Sequence, residues 1–159
     1  MMTRTPFLVL SLLIGACGAG NAKPTAGSAG PASASKAQEC LRRAAEPHQP
    51  RPDAPPRIEV AHILVRHSEL KDPQGATRTR EQACLRALEA LEKLQGGADW
   101  SASVEKYSDE HSPTHGSLGE VSQDELDPQF AQAAFSLEAN QLSFVVETKR
   151  GFHVIARLK

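Results

Sequence analysis

Apolar residues recur along this chain in two distinct periods, and the changes of period mark out its elements. IEVAHILVR, residues 58–66, is rich in aliphatic and β-branched residues and predicts a strand. HSELKDPQGA follows as a loop, and TRTREQACLRALEALEKLQGG is the clearest helix. In it Ala83, Ala87, Leu88, Leu91 and Leu94 share one face, Thr79 and Gln82 stand in capping-box spacing, and Gly96-Gly97 stop the run. Asp99 can cap a second, shorter helix that turns Trp100, Val104 and Tyr107 inward. After the loop in SDEHSPTHGSLGEVS comes a short strand around Leu118 to Val121. Asp127-Pro128 opens a third helix that buries Phe130, Ala134 and Phe135. LSFVVETKRGFHVIARLK closes the chain as a hairpin with Arg150-Gly151 near its turn. The order β-α-α-β-α-β-β predicts an α+β domain with helices packed on an antiparallel sheet.

The first and last strands of such a sheet can be neighbours, and each carries an imidazole among aliphatics. His62 lies in AHILVRHS and His153 in GFHVIARLK. A single buried histidine is ordinarily a satisfied core residue. Two, at opposite ends of the domain and on strands that can pair, raise the possibility of a facing pair.

Residues before the domain follow another pattern. In MMTRTPFLVLSLLIGAC, Arg4 precedes an apolar run from Phe7 to Ile14 that ends in small residues, the layout of an export signal. The run is too short for a mature membrane-spanning helix. Ile14-Gly15-Ala16-Cys17 resembles a bacterial lipobox, which implies cleavage after residue 16 and lipidation of Cys17; an ordinary signal with an incidental cysteine is the alternative. Gly18 favours an outer over an inner membrane anchor. Residues 17–56 read as a flexible Ala/Gly/Ser/Pro-rich tether with a short helix near 37–46, broken by EPHQPRPDAPPR with its five prolines in twelve residues. The folded domain is then expected at 57–159. Cys40 and Cys84 would share an oxidising compartment in which a disulfide is possible, but with Cys40 outside the expected domain their pairing stays open. A formal net charge of -1 over 159 residues gives no electrostatic case for nucleic acid as a partner.

HILVRH, TRTREQA, YSDE…GSLGEV, ELDPQFAQAAFSL and GFHVIARL, in that order and spacing, resemble a parvulin-type peptidyl-prolyl cis/trans isomerase over residues 58–159. The resemblance implies a parvulin-like (FKBP-like) four-stranded antiparallel sheet wrapped by helices, and no cofactor. It maps the proline slot onto Leu118, Leu126 and Phe130, and the paired histidines onto His62 and His153, with Thr148 in their network. Glu110 stands where the family commonly has Cys or Asp facing the substrate carbonyl, and the loop from Glu110 to Gly116 is about one residue shorter than usual. Asp109 is more often structural in the family.

Two further sets invite chemistry. His111 and His115, with His67, suggest a metal, but Pro113 denies the first two a helical i, i+4 geometry, and exposed loop histidines are the simpler reading. The expectation is no metal. Arg66, Lys71, Arg78 and Arg80 resemble the basic loop of phospho-directed parvulins, with Asp72 at a third basic position; Arg66 and Lys71 could then prefer an acidic residue before proline. A solvated basic face is the alternative. The resulting expectation is a monomeric, lipid-anchored envelope isomerase, facing the periplasm, that acts on Xaa-Pro segments of exported proteins and assists their folding. A catalytically weak peptide-binding module or holdase on the same scaffold is the rival, favoured by Glu110 and the shortened loop.

Overall fold

The structure, a computed structural model, describes residues 31–159. The expected signal segment at 1–16, the lipidation site Cys17 and the first part of the tether lie outside the described residues. Ten elements follow: helix α1 (Pro31–Ala44), strand β1 (Ile58–Val65), helices α2 (Arg80–Gln95) and α3 (Trp100–Tyr107), strand β2 (Ser117–Val121), a 3-10 turn (Gln123–Glu125), helix α4 (Pro128–Ser136), and strands β3 (Gln141–Leu142), β4 (Val146–Thr148) and β5 (Gly151–Arg157).

The local signals hold where the sequence put them. Thr79 caps α2 and forms the full capping box with Gln82, Asp99 accepts a hydrogen bond from the Ala102 amide, and Asp127 caps α4 ahead of Pro128. The sheet is antiparallel throughout, in the order β2-β1-β5-β3, with β4 also on β5. It has five strands rather than four. The stretch before the last turn is split into β3 and β4, both bonded to β5.

The central strands feed two separate cores by simple alternation. Ile63, Val65, Phe152 and Val154 face α1, α2 and α3, against Cys40, Ala83, Ala87, Leu91 and Val104. Ile58, Val60 and Ile155 face the other way, against Phe130, Ala134 and Phe135 of α4. By the same alternation His62 and His153 belong to the α4 face. Gly116 lets the chain entering β2 lie against β1. Its φ is +77°, and a Cβ there would sit 2.1 Å from the His62 carbonyl oxygen.

The expected tether at 17–56 is corrected from residue 31 onward. Helix α1 begins six residues before the short helix expected at 37, and it packs on α2 with Ala37, Cys40 and Ala44 buried. Cys40 and Cys84 form a disulfide, Cα–Cα 6.1 Å. The proline-rich segment that follows is held as well: the Arg51 amide donates to the Phe135 carbonyl at 3.1 Å, and Arg51 pairs with Glu138 at 3.0 Å. The folded unit therefore starts well before Arg57. Small side chains on one face of α1 give close packing on α2 that composition alone does not reveal.

Candidate active site

Strand register places the two histidines. His62 lies opposite Ile155 and His153 opposite Leu64, so they are diagonal neighbours on one face. Diagonal positions are within reach of long or aromatic side chains. The imidazoles meet with Nδ1 atoms 3.1 Å apart and planes within 16° of each other. His153 Nε2 lies 2.9 Å from the Thr148 hydroxyl, which accepts from the Arg150 amide at 3.1 Å. Phe130 stands edge-on to both rings, its centroid 5.5 Å from that of His62 and 5.2 Å from that of His153. His62 is 4% exposed and His153 2%.

Burial sets the charge state. Loss of hydration pushes His62 down to about 4 from its ordinary 6.5; the Glu110 carboxylate opposes this, while Arg150 and Arg66 add to it. Burial also pushes His153 well below the ordinary range, with His62, Arg150 and Arg66 acting in the same sense. Both rings are neutral at neutral pH, so one Nδ1 must donate and the other accept. Glu110 Oε2 lies 3.8 Å from His62 Nε2. A carboxylate favours an N–H toward it, which leaves His62 Nδ1 as the acceptor. The result is one directed chain: the Arg150 amide donates to Thr148, the Thr148 hydroxyl to His153 Nε2, and His153 Nδ1–H to His62.

This pair lies beneath a groove of about 470 Å³ that is also lined by Leu118, Leu126, Pro128, Phe130 and Thr148. Phe130 is buried and floors it, Leu126 is partly buried, and Leu118 stands 41% exposed at the rim. Glu110 does not line the cavity itself; it flanks it, 3.1 Å from Arg150 Nη2.

A family model, the rotamase or PPIC-type PPIASE domain, matches residues 62–159. The chain belongs to that family. Its domain is a parvulin-type peptidyl-prolyl cis/trans isomerase. It is 37% identical over 110 residues to peptidyl-prolyl cis-trans isomerase pin1 of Schizosaccharomyces pombe, covering 64% of this chain and 62% of that protein. It is 33% identical over 109 residues to the chaperone SurA of Methylobacillus flagellatus, covering 68% of this chain but 24% of SurA. The match therefore spans less than two thirds of either relative. Among solved structures, the peptidyl-prolyl isomerase ESS1 from Candida albicans superposes with a TM-score of 0.60 at 26% identity, covering 80% of this chain and 73% of that one.

The parvulin domain treats the remaining candidate residues differently from the sequence reading. Arg66 is 6% exposed; its backbone amide donates to Asp109 Oδ2 at 2.7 Å and its guanidinium to the Asp109 carbonyl at 2.9 Å. Asp109 also pairs with Arg78, and Arg80 makes two 2.6 Å hydrogen bonds to Glu147. Lys71 is exposed in the loop after β1 and does not line the groove. Neither Arg66 nor Lys71 lines the groove; Arg66 and Arg78 bind Asp109 and tie the loop after α3 to β1. The cations on the groove are instead Lys149 and Arg150, which the sequence reading passed over. The available signal was their place in TKRG, immediately before the strand that carries His153. They are matched by Asp127, 3.3 Å from Lys149, and by Glu110. His67 is buried against Phe152, whereas His111 and His115 line a separate shallow depression. Among the described residues no three His, Cys, Asp or Glu side chains gather as a metal site.

Proposed function

We propose that the groove holds the proline of an Xaa-Pro segment and lowers the barrier to its rotation by binding the twisted imide more tightly than either planar isomer. Amide rotation meets a barrier of ~18–20 kcal/mol. Each roughly 1.4 kcal/mol of preferential binding to the twisted form gives a tenfold gain in rate. Leu118, Leu126 and Phe130 receive the ring. His62, oriented through His153 and Thr148, presents a neutral N–H near the imide, and no proton has to pass between heavy atoms. Glu110, held by Arg150 at the flank of the groove, supplies negative charge that suits a carbonyl oxygen which has lost charge on twisting. The observation that carries this reading is the Thr148–His153–His62 chain of contacts lying beneath an apolar slot.

The finer reading is an extracytoplasmic foldase, monomeric, anchored through a lipid on Cys17, that assists exported proteins where proline exchange limits folding. Support comes from the signal-like first residues, from the buried Cys40–Cys84 disulfide, which suits an oxidising compartment, and from similarity to a SurA chaperone. A preference for an acidic residue before proline belongs to the same reading, with Lys149 and Arg150 carrying it in place of Arg66 and Lys71. The test is catalysed exchange of Ala-Xaa-Pro-Phe peptides by the purified chain, with Xaa as Glu, Ala or Lys. Acceleration, with Glu ahead of Lys, is expected. Binding without acceleration would make the protein a peptide-binding module on this scaffold.

A further inference from the structure

A second depression, of about 360 Å³, opens beside the proline groove. Ala44, Pro47 and His48 form one wall, Gln129 and Gln132 of α4 the other, and Thr148 lines both this depression and the groove. The two are therefore adjoining parts of one surface. The wall at 44–48 comes from a part of the chain that precedes the family match at 62–159. It is a fixed wall, held at one end by the disulfide of α1 and at the other by the Arg51 contacts with Phe135 and Glu138.

Its uncommitted groups are neutral hydrogen-bonding ones, since its two carboxylates are paired, Glu46 with Arg42 and Glu147 with Arg80. His48 Nε2 is shielded from solvent and has no hydrogen-bond partner among the described residues. The side-chain amides of Gln129 and Gln132 make no hydrogen bond among the described residues, while Glu147 is already paired to Arg80. Amide and imidazole groups of this kind, unbalanced by any free cation, match the alternating N–H and C=O of an extended polypeptide better than an anion.

We infer that this depression is a subsite for extended peptide, taking the backbone of residues that flank the proline held in the groove. The inference rests on the reading of the groove as a proline site. An extended chain advances about 3.3 Å per residue, so three residues beyond the proline reach roughly 10 Å past the slot. The subsite makes the enzyme favour long unfolded segments over short peptides, a selectivity that the 62–159 domain alone would lack.

The test compares Ala-Ala-Pro-Phe with the same core lengthened by four alanine or serine residues at either end, using the full chain. The expected result is a roughly tenfold higher kcat/KM for one of the lengthened peptides, as one or two added hydrogen bonds allow. In a variant combining His48→Ala, Gln129→Ala and Gln132→Ala, that ratio falls to near one. Equal kcat/KM for all three peptides, or an unchanged ratio in the variant, overturns the subsite. If no peptide is accelerated, the catalytic reading fails but the subsite is still read by NMR. The side-chain signals of His48, Gln129 and Gln132 then shift with the longer peptide and not with the short one. No shift there, or shifts that follow protein concentration alone, overturns it.

Discussion

The two faces of the sheet are built from the same strands and do different work. On one face Phe152, Val154, Ile63 and Val65 meet three helices in a closed aliphatic core, stapled by Cys40–Cys84. On the other, one residue away along each strand, His153 and His62 border an open groove and α4 covers only the remainder. Phe152 and His153 are adjacent in sequence and opposite in role. The closed face is mostly apolar and tightly packed, so it can hold β1 and β5 in one register. That register places two buried imidazoles 3.1 Å apart, a geometry that a looser sheet would not maintain.

The largest effect should come from opening the closed face. Phe152→Ala removes a fully buried ring and is expected to cost ~3–5 kcal/mol, read by urea unfolding. If the faces are mechanically linked, the residual folded fraction also loses the His62–His153 contact, seen as altered imidazole NMR signals. The staple comes next. Joining residues 44 apart in sequence, it should contribute about 2–4 kcal/mol, measured as the drop in unfolding midpoint for Cys40→Ser with Cys84→Ser.

The groove face should show itself through acid. With His62 held near 4 against an ordinary 6.5, the unfolded chain takes up a proton that the folded chain refuses as pH falls through that window. The stability from the neutral ring is complete above about pH 6.5 and is lost by about pH 4, roughly 3 kcal/mol for His62 alone. His153 acts in the same direction. Unfolding measured at steps between pH 7 and pH 4 should show this slope, and His62→Gln should flatten it. The smallest effect on the fold is Leu126→Ala: partly buried at the groove wall, it should lower kcat/KM about tenfold with little change in melting temperature. Equal losses of stability from Leu126→Ala and Phe152→Ala would end the distinction between the faces.

Much of this architecture was legible residue by residue. Capping pairs such as Thr79 with Gln82, the Asp127-Pro128 start of α4 and the alternation in β1 and β5 are local signals, because helix caps and strand faces are decided within a few residues of the chain. The split of the late hairpin into β3 and β4 was not, since both are very short and exist only through their bonds to β5.

By itself, then, the sequence determined the order and type of the main elements from β1 to α4 and the closing hairpin, and placed both histidines on strands with apolar neighbours. Tertiary structure alone decided three things: that α1 joins the domain through Cys40 and Cys84, that Arg66 and Arg78 bind Asp109 rather than line the groove, and that Arg150 meets Glu110 beside the groove. The physical reason is common to all three. Each joins groups a dozen or more residues apart, and such pairings depend on where the packed chain brings side chains together, which short-range periodicity and capping do not encode.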